Sequence, residues 1–256
     1  MDFYSAPLAA IFLAGLVLNF AASEAGWRLG LRRGAPGSGN ITTLEGAMIG
    51  LLALLIGFTF SMALSRFEAR RDAVVQEANA IGTTALRARM LPEPQRGESL
   101  KLLREYVQVR LDAAHRNSSF ADATKAVERA NQIQETLWQH AMAVAAMDRN
   151  AITALYIQTL NQMIDSQGVR LAALRNRIPN IVLMTLYLIA ASACGFAGYA
   201  SALDAKRVRL PVHAMAVLVS AVLYLIIDLD RPNSGFITNN QQAMVDLAST
   251  IAAFSD

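Results

Sequence analysis

A single cysteine stands among 256 residues. Cys194 lies inside an apolar run, so an intrachain disulfide is excluded and the thiol reads as a small buried apolar residue. His115, His140 and His213 are far apart, with no second ligand at metal spacing. The chain has no glycine-rich phosphate loop, no nucleophile elbow and no carboxylates paired for acid–base work. Neither an enzyme nor a cofactor is therefore expected. Charge is scarce as well, at 17% against about 25% in soluble domains. A net charge of +3 and a pI near 9.2 suit a protein held against anionic lipid and call for no nucleic-acid partner.

What fills the chain instead is apolar sequence, 54% of it, unevenly spread. A spanning helix needs about 20 mostly apolar residues, and four segments meet that length: 7–27, 44–64, 179–200 and 211–229. Trp27 and Arg28 read as interfacial anchors of the first. Asp2 is the only charge before Glu24, so that segment lacks the basic start of a cleaved signal. The third and fourth open on Pro179 and Pro211, where a missing N–H is harmless.

Between Arg66 and Arg177 the chain is polar, helical in pattern and nearly free of glycine. Phe67, Val74, Ala78, Ile81 and Ala85 fall near helical spacing, with Arg70, Arg71 and Glu77 elsewhere on the circumference. The second span is thus expected to continue into a long helix, ended by Leu91-Pro92-Glu93-Pro94. Helices over 95–115, 122–147 and 148–177 follow; Leu100, Leu103, Val107 and Leu111 share a face of the first, and Asn117-Ser118-Ser119 is a turn. The last helix is expected to run on until Pro179.

The expected fold is an all-α integral membrane protein with four spans and a helical extramembrane domain between the second and third. Its divisions are a hairpin over 1–65, the helical domain over 66–178, a hairpin over 179–230 and a tail over 231–256. Orientation is not given by charge. Arg28, Arg32, Arg33, Lys206, Arg207 and Arg209 on one side balance Arg66, Arg70, Arg71, Arg170, Arg175 and Arg177 on the other.

The second span carries Gly57-Phe58, then Arg66-Phe67 nine residues after the glycine. This resembles the pore-helix signature of bestrophin anion channels. The closer similarity is to the bacterial bestrophin-like membrane proteins. It rests on Gly57-Phe58-Thr59-Phe60-Ser61-Met62 running to Ser65-Arg66-Phe67-Glu68, on Glu77-Ala78-Asn79-Ala80-Ile81-Gly82 leading to Leu91-Pro92, and on Asp228-Leu229-Asp230-Arg231-Pro232. The resemblance covers residues 40–240. It implies a homo-pentamer in the bacterial inner membrane, with termini and helical domain cytoplasmic and a pore lined by the second span. Aligned through Gly57-Phe58, the family's constriction falls on Gly50, Leu54 and Phe58; Gly50 departs from the apolar character of the other two.

That spacing puts Gly50, Leu54, Phe58 and then Ser61 or Met62 on one stripe. Stacked apolar rings gate by dewetting, and the hydroxyls of Thr59 and Ser61 ease passage. Arg66 and Arg70, one turn apart, would draw anions to the mouth. The blander readings are that Leu54 and Phe58 face lipid or a neighbouring helix, that Gly46-xxx-Gly50 is a close-packing motif, and that Arg66 anchors the helix end. Asp228, Asp230 and Asn233 resemble the calcium-binding segment after the last bestrophin span. They offer few of the ~6–8 oxygens calcium wants, and an interfacial cap pairing Asp228 or Asp230 with Arg231 or a basic residue of the helical domain is the favoured reading. Asn19 and Glu24 sit in or near the first span, where snorkelling beside Trp27 accounts for Glu24.

The sequence therefore leads to an ion channel, anion-conducting, whose partners are its own copies, the lipid bilayer and small inorganic ions. The alternative is a non-conducting scaffold or signal relay whose helical domain binds a partner, which requires apolar residues on the outer face of residues 95–147.

Overall fold

The computed structural model describes residues 4, 6–33, 39–114, 120–203, 209–232 and 235–254. Among these the regular structure is helical only: α1 (Leu8–Arg33), α2 (Gly39–Ala88), α3 (Gln95–Ala113), α4 (Phe120–Met147), α5 (Ala151–Arg175), α6 (Asn180–Leu203), α7 (Leu210–Asp230) and α8 (Gln242–Ala252). Four apolar stretches long enough to cross a membrane lie in α1, α2, α6 and α7, so the protein is an all-α membrane protein. The 50-residue α2 is unbroken, as its pattern predicts, and Pro92 and Pro94 follow its end. α5 does not run on to Pro179. It stops at Asn176, whose backbone turns extended, and α6 begins four residues later.

The chain folds into two compact units. The first holds residues 1–66, 177–231 and 235–237. Here α1 packs along α6 and α7. Lipid tails are as apolar as leucine, so helices in a bilayer associate through close fit and hydrogen bonds. The fit is made by glycines facing a neighbouring backbone. A Cβ added to Gly198 would lie 2.1 Å from the Ser23 carbonyl oxygen, and one on Gly26 would lie 1.9 Å from that of Gly195. The hydrogen bond is Asn19 Nδ2 donating to Ser220 Oγ at 2.9 Å, buried between α1 and α7. Trp27, expected as an interfacial anchor, has its ring covered within the chain. It is buried, with the Arg209 guanidinium 4.6 Å above its ring. Cys194 is buried, as its apolar setting predicts.

The second unit holds residues 67–176, 232–234 and 238–256. Its core joins Ile81 and Ala85 of α2, Leu100 and Leu103 of α3, Ile133 and Leu137 of α4, and Leu160 and Met163 of α5. α5 starts on an N-cap, Asn150 Oδ1 accepting from the Thr153 amide at 2.9 Å. The segment read from sequence as a tail contains α8, which buries Met244, Leu247 and Ile251. Arg104 of α3 donates to its end, from Nη2 to the Phe254 carbonyl at 2.7 Å, where orphan carbonyls need partners. The predicted turn at Asn117-Ser118-Ser119 lies outside the described residues.

Candidate functional site

Through residues 39–66, α2 buries little of its own surface. Among the described side chains there, the buried apolar residues are Leu52 and Ala63, and the buried polar one is Thr59. Leu54 and Phe58 are 55% and 62% exposed, Met62 is exposed, and Ser61 lies beside it. No neighbour lies within 4 Å of a Cβ placed on Gly46, Gly50 or Gly57. Among the described residues, nothing of this chain packs against Gly46-xxx-Gly50. The structure keeps Gly50, Leu54, Phe58, Ser61 and Met62 on one open stripe.

Two of the residues assigned to this surface lie elsewhere. Thr59 is 4% exposed. It follows Leu54 by five residues, about 140° round the helix at 3.6 residues per turn, and borders Ile181, Thr185 and Leu186 of α6. Its hydroxyl donates back to the Leu55 carbonyl at 2.7 Å, so it offers nothing to the open stripe. Arg70 is 1% exposed, and a guanidinium so buried forms no open mouth. Arg66 is half-buried, with Nη1 reaching the Met62 carbonyl at 3.5 Å.

The carboxylates at the end of α7 are buried, and their partners differ from the expected basic side chain. Asp228 accepts the amides of Phe236 (3.0 Å to Oδ1) and Ile237 (3.2 Å to Oδ2). Gly235, at φ +130°, makes this wrap feasible, because a Cβ there would meet Asp228 Oδ1 at 1.7 Å. Asp230 Oδ2 accepts the Ile178 amide at 2.8 Å and the Tyr4 hydroxyl. Arg231 instead donates from Nη2 to the Ala6 carbonyl at 2.6 Å. A backbone amide is a fixed donor that costs no side-chain entropy, which is how two acids are held without an arginine. Asn233 lies outside the described residues. Among the described residues no three His, Cys, Asp or Glu side chains gather as a metal site. Glu24, read as snorkelling, pairs with Arg28 Nε at 2.9 Å and lies 3.9 Å from Arg209 Nη1.

The second unit holds a polar centre that periodicity alone did not reveal. Glu77 is fully buried. Arg110 of α3 donates from Nε to its Oε1 at 2.8 Å and from Nη2 to its Oε2 at 3.4 Å. Arg170 of α5 donates from Nη1 to the same Oε2 and from Nη2 to Gln241 Oε1 at 3.0 Å. Tyr106 donates to Gln167 Oε1 at 3.0 Å and accepts from Gln134 Nε2 at 3.1 Å. Burial pulls the Arg170 guanidinium below its usual range, and Glu77 opposes that pull. Burial likewise pushes the Tyr106 phenol up, and the Glu77 charge adds to it. The signal present in the sequence was the seven-residue spacing of Arg70, Glu77 and Thr84, which puts all three on one buried face.

Comparison with known proteins agrees with this architecture. Comparison with curated proteins found no match. Among solved structures, a bacterial bestrophin homolog from Klebsiella pneumoniae aligns over 96% of both chains, with a TM-score of 0.66 and 15% identity. A tryptophan-to-alanine variant of a bacterial bestrophin homolog from Klebsiella pneumoniae aligns over 97% of this chain and 96% of the other, with a TM-score of 0.69 and 14% identity. At such identity the likeness is one of fold. A family model described as the Bestrophin-like domain matches residues 11–244, and the chain belongs to that bestrophin-like family.

Proposed function

We propose that the protein is a homo-oligomeric ion channel that conducts anions along α2, assembled as a pentamer in a bacterial inner membrane with its termini and helical unit cytoplasmic. The observation that carries the reading is the open stripe. Leucine and phenylalanine more than half exposed, one turn apart on an apolar helix, become stacked rings when copies surround an axis. Leu54 and Phe58 form the constriction, Gly50 the wider ring beyond them, and Ser61 and Met62 the lining below. Arg66, where the apolar run stops, supplies positive charge at the mouth. Thr59 and Arg70 are left out, because both are buried.

The scaffold alternative calls for an apolar outer face over residues 95–147. Among the described residues there, the large exposed apolar side chains are Met142 and Met147, both near the end of α4. That is too little surface to favour a docking role. At the end of α7 both oxygens of Asp228 and one oxygen of Asp230 are engaged by amides and a phenol, and among the described residues no three acidic, His or Cys side chains gather there, so no calcium requirement is proposed.

Ion flux from purified protein in liposomes, with chloride and potassium gradients imposed separately, tests the reading. Flux that follows chloride supports it; flux that follows potassium reverses the sign of selectivity. Intact oligomer with no flux across a range of pH and calcium sinks it. Leu54→Ala with Phe58→Ala should raise conductance and leave the melting temperature within about 3 °C, since exposed side chains contribute within roughly ±0.5 kcal/mol each. Unchanged conductance in a folded oligomer would remove these two residues from the constriction.

A further inference from the structure

Within the second unit, the turn after α2, the close of α4 and the start of α5 meet round an open cavity of ≈ 470 Å³. That is the space of about fifteen waters at ~30 Å³ each, inside the range of about 300–1,000 Å³ found for small-molecule sites. Leu91 and Val144 form its buried backing, while Met90, Met147 and Ile152 stand 57%, 64% and 37% exposed on it. Single exposed apolar side chains are ordinary on a protein surface. Three round one hollow make a concave apolar wall, and unbranched methionines adapt it to more than one shape. The lining side chains able to donate are turned to the loop between α4 and α5. Asn150 Nδ2 donates to Asp148 Oδ2 at 2.8 Å, and Thr153 Oγ1 donates to the Asp148 carbonyl at 3.1 Å. Two carboxylates, Glu93 and Asp148, lie on the wall, with no lysine or arginine beside them there. Glu93 is paired with Arg96 and accepts the Gly97 amide at 3.3 Å. Asp148 forms no ion pair among the described residues, its side-chain partner Asn150 being neutral. Arg149, next in the chain, is exposed and off the wall.

What this wall offers a ligand is apolar contact and negatively charged acceptors. We propose that the cavity is a binding site for a small organic ammonium ion, whose apolar body lies against Met90, Met147 and Ile152 and whose N–H donors are held by Asp148. Glu93 adds negative charge from the turn after α2. An anion meets two carboxylates and spent donors here, and a neutral apolar molecule leaves the Asp148 charge unused. The site stands whether or not α2 lines a pore, since all of its residues belong to the second unit.

The test uses full-length protein in lipid nanodiscs, labelled with carbon-13 at the methyls of its ten methionines. Met90→Leu and Met147→Leu assign the two resonances at the cavity. Three water-soluble probes of one shape are titrated: 2-phenylethylammonium, 2-phenylethanol and phenylacetate. The ammonium probe is expected to shift both methyl signals saturably, with a dissociation constant of about 1–10 mM for so small a molecule. Phenylacetate should bind at least about tenfold more weakly. Asp148→Asn keeps an acceptor for Asn150 and removes the charge. It should weaken the ammonium probe about threefold, as loss of one exposed charge partner does, and leave 2-phenylethanol unchanged. Adding Glu93→Gln should bring the loss to about tenfold. Equal affinity for all three probes overturns the proposal, because the wall would then act as apolar surface only. Ammonium affinity that survives both charge substitutions overturns it as well. So does silence of both methyls up to about 20 mM probe in protein of native helix content.

Discussion

Residues 39–66 and 67–88 belong to one helix, and what they bury is nearly opposite in kind. In the first stretch large apolar side chains such as Leu54 and Phe58 are open, while the hydroxyl of Thr59 is inside. In the second, Val74 and Ile81 are inside together with Arg70, Glu77 and Thr84. Water explains the second stretch and its absence explains the first. A helix in water must hide its apolar face, and it can take charges with it only when they are paired and hydrogen-bonded. A helix in lipid gains nothing by hiding leucine, so fit and function decide which face is covered. The open apolar surface of the first stretch therefore awaits lipid or another copy, whereas the buried face of the second is complete within the chain.

The largest effect expected is at the charged end of this comparison. Glu77→Ala removes one partner of a buried ion triad and leaves Arg110 and Arg170 facing each other. It should destabilise the fold by about 3–5 kcal/mol, read as earlier thermal loss of helix signal. The apolar replacement of all three residues should come close to wild-type stability. If Glu77→Ala were neutral, the second stretch would owe its stability to its apolar seam alone.

An intermediate effect separates covered from open faces among the glycines of the first unit. Gly198→Ala must push α1 and α6 apart, because the new Cβ would meet the Ser23 carbonyl at 2.1 Å. A cost of about 1–3 kcal/mol is expected for such overpacking. Gly57→Ala meets nothing within 4 Å and should be neutral or stabilising by up to about 1 kcal/mol through helix propensity. Thermal unfolding of the two variants side by side checks this. Equal costs would mean that the face around Gly57 is covered after all.

The same contrast explains what the sequence made legible. Four long apolar runs and the Pro92 and Pro94 break announce themselves by length and by missing donors, so the spans and the extent of α2 were readable. An all-apolar helix does not announce which side turns inward, since Leu52 and Leu54 are the same residue type. The i, i+4 spacing puts Leu54 and Phe58 on one stripe, and the bestrophin resemblance singles that stripe out as the pore face; Thr59, read as a lining hydroxyl, stands about 140° from Leu54 and borders α6 instead. Arg70 and Glu77 look like solvated positions because a charge on a helix reads the same whether water or a partner meets it. Arg110 and Arg170, 33 and 93 residues further along, are what make Glu77 a core residue, and a one-chain pattern does not pair positions so far apart. α8 was legible too: Met244, Leu247 and Ile251 fall at helical spacing in a stretch, Gln242–Ala252, where apolar residues outnumber polar ones.

The smallest effect concerns alkali and tells the two kinds of burial apart by protons. Burial in the second unit pushes the Tyr156 phenol from its ordinary value near 10 up to about 12. A phenol is neutral when protonated, so a raised value in the folded state means that the unfolded chain loses its proton first. The stabilising contribution of Tyr156 is therefore fully present below pH 10 and is lost between about pH 10 and 12 as the pH rises through the folded value. A displacement of that size corresponds to about 2–3 kcal/mol at most, and Tyr106, shifted the same way, adds to the loss. Tyr156→Phe should leave neutral-pH stability close to the wild type's and move the onset of alkaline unfolding upward. Urea titrations at pH 8 and pH 11 compare the two proteins. A wild-type loss between them that the Tyr156→Phe variant shows in full would mean that Tyr156 already reaches water in the folded protein.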